Sequence, residues 1–424
     1  MTTNFPRMLS IRQSFPATPS LNLEAVLETE FTKIRSQIKP GKKIAVAVGS
    51  RGITNLDQIV AGLVRLLKNA GAEVFIVPAM GSHAGATPEG QTEILAGYGV
   101  SEAALGVPVR ATMDVRVLGK TGDGLELQFS AEALRADGII VVNRIKPHTD
   151  FAGSIGSGLL KMIVVGLGKR VGAAAYHVES SRLGYERVLR TIAHESLRLA
   201  PILGGVGIVE NQRHETARIE FLSRDEIERG EERLFLEAKR LMPKLPFDDI
   251  DLLIVDRIGK NISGSGMDPN IIGRGVHGYL SSLGNQHNLT PFIRRLFVRG
   301  LTPETHGNAI GIGLADLTTT RLVHEMDKSV TYINSLTSLT PNCAKIPIHF
   351  DTDREALTQA LRSLGLADSR AARVIRIADT LSLERMQISE AYGESVKQIS
   401  SLTRTTEPRE MVFDSEGNLP PLET

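Results

Sequence analysis

The stretch that decides the fold is Gly138-Ile-Ile-Val-Val-Asn143-Arg-Ile-Lys-Pro-His148-Thr-Asp-Phe-Ala-Gly153-Ser-Ile-Gly-Ser-Gly158-Leu-Leu-Lys161. It opens with a short apolar run, 138–142, whose β-branched residues are typical of a buried strand in a parallel sheet. Pro147 prevents the chain from continuing as a helix directly after this strand. The polar residues that follow are therefore predicted to lie at the carboxyl end of a central strand.

Comparable apolar runs at 43–48 and 73–78 also predict buried strands, and they are separated by a helical pattern at 56–68 that Thr54 or Asn55 can cap. This strand–helix–strand order predicts an α/β fold with a doubly wound, mostly parallel sheet. Further segments show the same helical or strand patterns of apolar residues. The sequence favours helices at 23–38, from Pro88, at 185–199 and at 225–241, a peripheral hairpin at 115–117 with 125–129, and a strand at 205–210.

The length of 424 residues favours two domains, because a single core rarely grows to that size. A Pro-containing boundary at 242–246 precedes a new apolar strand. We therefore expect a larger N-terminal catalytic and cofactor domain over 1–245, a smaller C-terminal α/β domain over 246–404, and an active-site cleft between them. The tail, 405–424, is expected to pack back on the first domain. Within the second domain the patterns predict a strand at 309–315 and helices near 354–365 and 383–399.

The composition excludes several classes of protein. Lys plus Arg (49) nearly equals Asp plus Glu (48), so no overall charge favours nucleic acid or a membrane surface. The single cysteine, Cys343, excludes an intramolecular disulfide and fits a reducing cytoplasm. The N-terminus lacks a signal-peptide pattern, and no apolar run is long enough to span a membrane. A homo-oligomer is compatible with this composition.

Several predicted strands are followed by residues that could carry chemistry. Arg51 follows the first strand, His83 the second, and Arg144 and His148 the central one. In an open parallel sheet, ligands bind at the carboxyl ends of the strands. Each residue also has a purely structural interpretation. His83 could be a turn histidine, Lys161 could extend to solvent, His177 could cap a helix, and Arg51 and Arg144 could form structural ion pairs.

The glycines of the stretch do not form a standard nucleotide motif. Gly153, Gly156 and Gly158 have the wrong spacing for a dinucleotide fingerprint, and leucines replace the lysine and hydroxyl residues of a P-loop. The sequence is still compatible with a less regular phosphate-binding loop, because successive backbone N–H groups bind anions without a fixed sequence.

Taken together, the chain resembles the nickel-pincer-nucleotide lactate racemase family, the LarA-like 2-hydroxyacid racemases and epimerases. The resemblance is based on the following motifs: Gly-Ser-Arg51, Gly-Ser-His83, Lys-Pro-His148, Phe-Ala-Gly153, Lys161 and His177. It implies that Lys161 is joined through a thioamide to a pyridinium mononucleotide that holds nickel, and that His177 ligates the metal. It further implies that His83 and His148 are the acid–base pair and that Arg51 binds the substrate carboxylate. Gly153, Gly156 and Gly158 would then lie against the cofactor phosphate, and cofactor-synthesis proteins would be partners.

The chain departs from the lactate-specific members of that family. Val48 stands where those members have an acidic residue three positions before the arginine. The loop ending at Asn270 keeps the family's Asp and Asn, but Ile272, Gly273 and Arg274 replace Tyr and Gln near a substrate-binding lysine. With Arg144, Asn270 and Arg274 as further substrate-binding candidates, these changes suggest a sugar acid or another larger polar 2-hydroxy acid rather than lactate.

The resemblance leads to one principal hypothesis and two alternatives. The principal one is a racemase or epimerase that inverts C2 of a 2-hydroxy acid. The second is a 2-hydroxy-acid dehydratase or a Schiff-base lyase that uses Lys161. The third is a non-catalytic protein that binds a sugar acid or a phosphate.

Overall fold

The protein was analysed as a computed structural model, which describes residues 4–49, 52–149, 153–276 and 290–422. The strands are β1 (Met8–Gln13), β2 (Lys43–Val48), β3 (Glu73–Pro78), β4 (Val115–Lys120), β5 (Glu126–Ser130), β6 (Gly138–Arg144), β7 (Ile202–Glu210), β8 (Thr216–Ser223), β9 (Asp249–Val255), β10 (Phe292–Val298), β11 (Leu317–Thr319), β12 (Ile348–Phe350), β13 (Val374–Ile377), β14 (Arg385–Ser389) and β15 (Leu402–Arg404). The helices are α1 (Leu23–Phe31), α2 (Leu56–Asn69), α3 (Pro88–Gly97), α4 (Glu102–Leu105), α5 (Leu159–Lys161), α6 (Lys169–Leu183), α7 (Tyr185–Leu199), α8 (Ile227–Leu241), α9 (Pro269–Ile272), α10 (Thr320–Glu325), α11 (Lys328–Thr337), α12 (Asp353–Arg362) and α13 (Gly393–Gln398). The chain divides into two compact units, Thr18–Met242 and the combination of Met1–Ala17 with Pro243–Thr424.

The unit Thr18–Met242 is built on a five-stranded sheet with the order β3-β2-β6-β7-β8. The first four strands in this order are parallel, and β8 pairs antiparallel with β7. Val48 of β2 lies opposite Pro78 of β3 and Val142 of β6. Because these three strands end at nearly the same level, the loops that follow them leave from one edge of the sheet.

Both faces of this sheet are covered. Along β2, Ala45 and Ala47 belong to the core on one face, which also contains residues of α5 to α8. Ile44, Val46 and Val48 belong to the core on the other face, together with residues of α1, α2 and α3. The strands are therefore apolar on both sides, and the prediction of a doubly wound α/β sheet is confirmed.

Most local predictions in this unit are confirmed, and the cap of α2 is an exception. The hairpin is β4 with β5, and Pro88 occupies the first position of α3. Asn55 precedes α2 in a left-handed conformation (φ 59°) and makes no side-chain capping hydrogen bond. The Thr54 hydroxyl instead donates to the backbone oxygen of His214. Neither residue caps the helix in the predicted way, because both are used to attach the β2–α2 loop to the turn between β7 and β8.

The second unit contains an eight-stranded sheet with the order β12-β11-β10-β9-β13-β14-β1-β15. The strands from β12 to β13 are parallel, and β14, β1 and β15 extend the sheet antiparallel. The N-terminal strand β1 thus belongs to the sheet of the C-terminal unit. The division between the units falls at Met242–Pro243, close to the boundary expected from the sequence.

The C-terminal tail, residues 405–424, packs on a different unit from the one expected. Residues 405–424 belong with the second unit, where the N–H groups of Leu419 and Leu422 donate to Asp353 and Asp256 at 2.9 and 3.1 Å. The physical reason is a cluster of buried charges in that unit, whose remaining hydrogen-bonding positions the tail backbone fills. The predicted packing of the tail on the first domain was therefore wrong.

Two local predictions in the second unit were also wrong. Residues 309–315 form a turn rather than a strand, because Gly311 has a φ of 96° and a Cβ on Gly313 would lie 1.8 Å from the oxygen of Asn342. Residues 383–399 are not one helix. Met386 and Ile388 alternate with more exposed residues as β14, and only Gly393–Gln398 is helical. Within the described ranges, no helix is both long and apolar enough to cross a membrane.

Candidate active site

The centre of the candidate site is a direct contact between His148 and Lys161. His148 follows β6, and Lys161 is the last residue of α5. The side-chain nitrogen of Lys161 (Nζ) is hydrogen-bonded to Nε2 of His148, whose residue is only 9% exposed. The structure therefore brings together the proposed tethering lysine and one of the two proposed acid–base histidines.

Backbone hydrogen bonds bring these two residues together. Lys146 and Ser157 exchange two of them, with N···O distances of 2.8 and 2.9 Å. In addition, the side-chain nitrogen of Asn143 (Nδ2) donates to the backbone oxygen of Gly158 at 3.0 Å. The chain therefore returns to the end of β6 just before α5 begins, which places His148 beside Lys161.

The glycines of this loop are required for packing against the protein itself. A Cβ on Gly156 would lie 2.5 Å from the oxygen of Lys146 and 2.7 Å from the ring of Phe235. A Cβ on Gly158 would lie 2.2 Å from the carboxylate of Glu231, and one on Gly153 would lie 1.9 Å from that of Glu186. Each of the three positions is therefore too close to a neighbour for a larger residue.

Two carboxyl groups, one buried and one partly exposed, occupy N–H donors of the predicted phosphate-binding loop. Glu231 on α8 is fully buried and accepts from the N–H of Leu160 at 2.8 Å, at the start of α5. Burial raises the pKa of Glu231 to about 7. At the other end of the loop, Glu186 accepts from the N–H of Ser154 at 3.0 Å. Because an anionic phosphate would be repelled by these carboxylates, the contacts do not support a phosphate site beside Gly153 or Gly158.

His177 lies on α6, which follows Lys161 after a π-helical segment, Met162–Gly166. Its imidazole is half-buried and lies among aromatic rings, 5.3 Å from the centroid of Tyr176 and 6.5 Å from that of Tyr185. Both tyrosines are buried, so they fix the orientation of this part of α6. An imidazole held in this way fits the role of a metal ligand.

His83 lies in the turn after β3, and its side chain is exposed. The turn is attached to the segment that follows Lys161. The N–H of Gly81 donates to Gly166 at 3.2 Å, and Lys169 Nζ donates to the oxygen of Pro78 at 2.6 Å. Lys169 is fully buried with a φ of 55°, and burial lowers its pKa to about 8. Sequence reasoning missed this residue, although a lysine in the Gly-Leu-Gly-Lys segment after an apolar run could have indicated it.

Arg144 is held by an ion pair. Its guanidinium contacts the carboxylate of Glu210, which also accepts from the N–H of Thr54 at 2.8 Å. The two charged side chains are 16% and 6% exposed. This geometry favours the structural ion-pair interpretation of Arg144 over direct substrate binding.

The predicted substrate residues of the second unit are also bound to protein groups. Asn270 Nδ2 donates to Asp268 at 3.0 Å, and Arg274 donates to the oxygen of Leu314 at 2.7 Å and to Asp316 at 2.6 Å. Arg51, the expected carboxylate-binding residue, lies outside the described residues. Among the residues that the structure describes, no group of three or more His, Cys, Asp or Glu side chains could hold a metal ion.

Sequence comparison identifies the first part of the chain. Residues 12–185 match a family described as the lactate racemase N-terminal domain. Residues 12–185 are therefore similar to the N-terminal domain of lactate racemases. The matched segment contains nine of the predicted site residues: Arg51, His83, Arg144, His148, Gly153, Gly156, Gly158, Lys161 and His177. Asn270 and Arg274 lie beyond it. No curated protein sequence matches the chain.

Two solved structures are similar to the chain, and the first has a related fold. The lactate racemase apoprotein from Thermoanaerobacterium thermosaccharolyticum is 14% identical with a TM-score of 0.53, and the match covers 89% of this chain and 99% of that one. A protein from Thermotoga maritima is also 14% identical, with a TM-score of 0.48 over 78% of this chain and 83% of that one. The first match shows that the chain shares the fold of that apoprotein.

Proposed function

We propose that the protein is a racemase or epimerase that inverts C2 of a 2-hydroxy acid with a nickel-pincer nucleotide attached to Lys161. The observation that carries the proposal is the contact between Lys161 and His148 within a lactate racemase N-terminal domain. An amine that can be acylated lies beside an imidazole that can move a proton. The donor set fits the cofactor at these positions, with Lys161 as the tether and His177 as a nickel ligand. When bound, the cofactor supplies the hydride acceptor that no protein side chain can provide.

The protein residues perform the proton transfers. The C2–H of a 2-hydroxy acid is weakly acidic, so hydride removal becomes easier when a base takes the hydroxyl proton at the same time. His148 and His83 come from loops that follow β6 and β3, two strands that end at the same edge of the sheet. In our proposal each histidine serves one enantiomer, and Arg51 fixes the substrate carboxylate while C2 changes configuration.

The proposed substrate class is a 2-hydroxy acid, with sugar acids as the first compounds to test. The support for this choice is Val48, a fully buried residue at the end of β2 where lactate-specific enzymes have an acid. The other departures have structural reasons. Ile272 is buried in the core, and Gly273 has a φ of 60° with a Cβ position 1.9 Å from the oxygen of Pro291. Arg274 is paired with Asp316 and is not proposed as a substrate ligand.

The test is to produce the full chain together with cofactor-synthesis proteins and to measure nickel content and the mass of the peptide that contains Lys161. The loaded protein is then incubated with a panel of 2-hydroxy acids in heavy water. We expect one nickel per chain, a modified Lys161, and inversion at C2 without deuterium uptake. Absence of nickel and an unmodified Lys161 would contradict the proposal. Borohydride trapping of a substrate adduct on Lys161 would instead support the Schiff-base lyase.

A further inference from the structure

The contact between Lys161 and His148 has a consequence for how His148 can work. A lysine ammonium has only donors, so the hydrogen bond uses the lone pair of His148 Nε2 as the acceptor. An imidazole nitrogen has a single lone pair. While Lys161 is unmodified, this nitrogen is therefore engaged and is not available to accept a proton from a substrate hydroxyl.

We propose that His148 is the base that receives the proton from Lys161 when Lys161 is acylated, and that acylation then releases His148 for the substrate. This inference deepens the proposed function and rests on it. It gives the same imidazole two successive roles, the first in the unloaded protein and the second in the loaded one.

The acylation step balances without an oxidant or a reductant. The acyl donor is an activated carboxyl or thiocarboxyl derivative, such as a thioester. The Lys161 ammonium first gives one proton through His148 to solvent, which leaves a neutral amine and a neutral imidazole. The lone pair of this amine forms a C–N bond with the acyl carbon, and the bond from that carbon to the leaving group breaks. His148 accepts a proton from the nitrogen and passes it to the leaving group, which departs with the bonding electrons.

The product explains the release of His148. An amide or thioamide nitrogen is neutral and keeps one hydrogen, whereas the ammonium carries a full charge and three hydrogens. The charge-assisted hydrogen bond to Nε2 is therefore lost, and charge-assisted bonds are roughly twice as strong as neutral ones. A substrate hydroxyl can then compete for the same lone pair.

The chain contains a second buried lysine that makes a useful comparison. Lys169 Nζ donates to the backbone oxygen of Pro78 and, at 3.5 Å, to the amide oxygen of Gln91. Neither of these oxygens is a base at neutral pH, and Lys169 is fully buried. Lys161 differs in two respects, since it contacts a base and is only partly buried. Lys161 therefore has the environment expected of an activated nucleophile.

The test uses the unloaded full chain and a simple acyl donor, the acetyl thioester of N-acetylcysteamine. Acetylation of Lys161 is followed by peptide mass spectrometry at neutral pH in the wild type, His148→Gln and the matched control His194→Gln, whose imidazole is exposed on α7. General-base assistance is worth about 10²–10⁴-fold. We expect His148→Gln to slow acetylation of Lys161 at least tenfold, while His194→Gln leaves it unchanged. The exposed Lys68 serves as a reference in every sample.

A further variant distinguishes the loss of the base from a loss of folding. In His148→Ala, added imidazole should restore much of the Lys161 acetylation rate, which a misfolded protein would not show. Equal rates of Lys161 acetylation in the wild type and His148→Gln would overturn the inference. Because this assay uses neither nickel nor substrate, its result is independent of whether the loaded protein racemises a 2-hydroxy acid.

The release of His148 is tested with diethyl pyrocarbonate, which modifies imidazole nitrogens. Lys161→Met and protein acetylated at Lys161 should show faster modification of His148 by several-fold than the unmodified wild type. The exposed His194 is the internal reference, and its modification rate should not change. If the modification rate of His148 is the same in all three proteins, the release does not occur.

Discussion

The carboxyl edges of the two parallel sheets carry different kinds of charge. At the edge of the five-stranded sheet, His148 contacts Lys161, so an imidazole lies beside an amine. At the edge of the eight-stranded sheet, Asp256 follows β9 and is held by two arginines. Arg376 Nη2 lies 2.7 Å from Asp256 Oδ2, and Arg299 Nη1 lies 2.8 Å from Oδ1.

The comparison shows that the position at a sheet edge is not enough to make a site. Burial alone would raise the pKa of Asp256, but the hydrogen bonds and charges of Arg376 and Arg299 outweigh burial and lower it. The tail adds a further hydrogen bond from the N–H of Leu422. A carboxylate in this setting stays ionised and stabilises the fold, whereas the pair at the other edge can take part in proton transfer.

The largest expected effect comes from removing the tether. Lys161→Arg keeps a positive charge near His148 but cannot form a thioamide under the conditions that load the wild type. We expect no retained nickel and no C2 inversion, because the hydride acceptor is missing. Nickel content after gel filtration and the mass of the intact chain measure this. Retention of nickel at the wild-type level would show that Lys161 is not the attachment point.

The second effect concerns the acid–base pair in the loaded protein. His148→Gln and His83→Gln should each lower kcat by about 10²–10⁴-fold, the usual contribution of general acid–base catalysis. Nickel content must be measured alongside, since His148→Gln is also expected to load slowly. A variant with full nickel content and unchanged kcat in both directions would remove that histidine from the mechanism.

The third effect concerns the stability contributed by Asp256 at the edge of the eight-stranded sheet. Asp256→Asn leaves Arg299 and Arg376 buried beside a neutral amide, and breaking a buried ion pair costs about 3–5 kcal/mol of unfolding free energy. Urea unfolding measures this loss. Glu24→Gln is the matched control, because Glu24 pairs with Arg65 at the surface and such pairs contribute about 0–1 kcal/mol. A small effect of Asp256→Asn would mean that the tail and the arginines rearrange.

The same carboxyl group predicts the acid dependence of stability. The folded pKa of Asp256 lies below its unfolded value, so its contribution is complete above the unfolded pKa of about 3.9 and is lost as the pH falls through the folded value. The wild type should therefore lose more stability than Asp256→Asn in acid. Unfolding free energies at a series of pH values below 5 measure the difference.

The sequence predicted the central sheet because its strands are continuous apolar runs, as in β2 and β6. It did not predict β1, since Met8–Gln13 is short and pairs with β14 and β15, which lie near the other end of the chain. Long-range pairing of this kind leaves no local pattern. The same limit explains the wrong placement of the tail.

The residue types of the candidate site could be predicted, but their partners could not. The resemblance assigned His148 and Lys161 to one site, and their side chains are in contact. The ion pair of Arg144 depends on Glu210, which becomes a neighbour only because β6 and β7 are adjacent. Glu231 lies in a helix whose many charges indicate a solvated surface, yet its side chain is fully buried.

That buried carboxyl group gives the smallest predicted effect. The folded pKa of Glu231 is about 7, above the ordinary value of 4.5, because burial disfavours the charged form. The folded protein therefore retains a proton that the unfolded chain releases, and the contribution to stability falls as the pH rises from 4.5 through 7. Glu231→Gln keeps an oxygen that can accept from the N–H of Leu160 and has no charge to bury. We expect it to be more stable than the wild type at pH 8 by up to about 3 kcal/mol, and equally stable near pH 4. Urea unfolding at the two pH values measures this, and a destabilised variant at pH 8 would show that the ionised carboxylate is needed to hold α5 and Lys161.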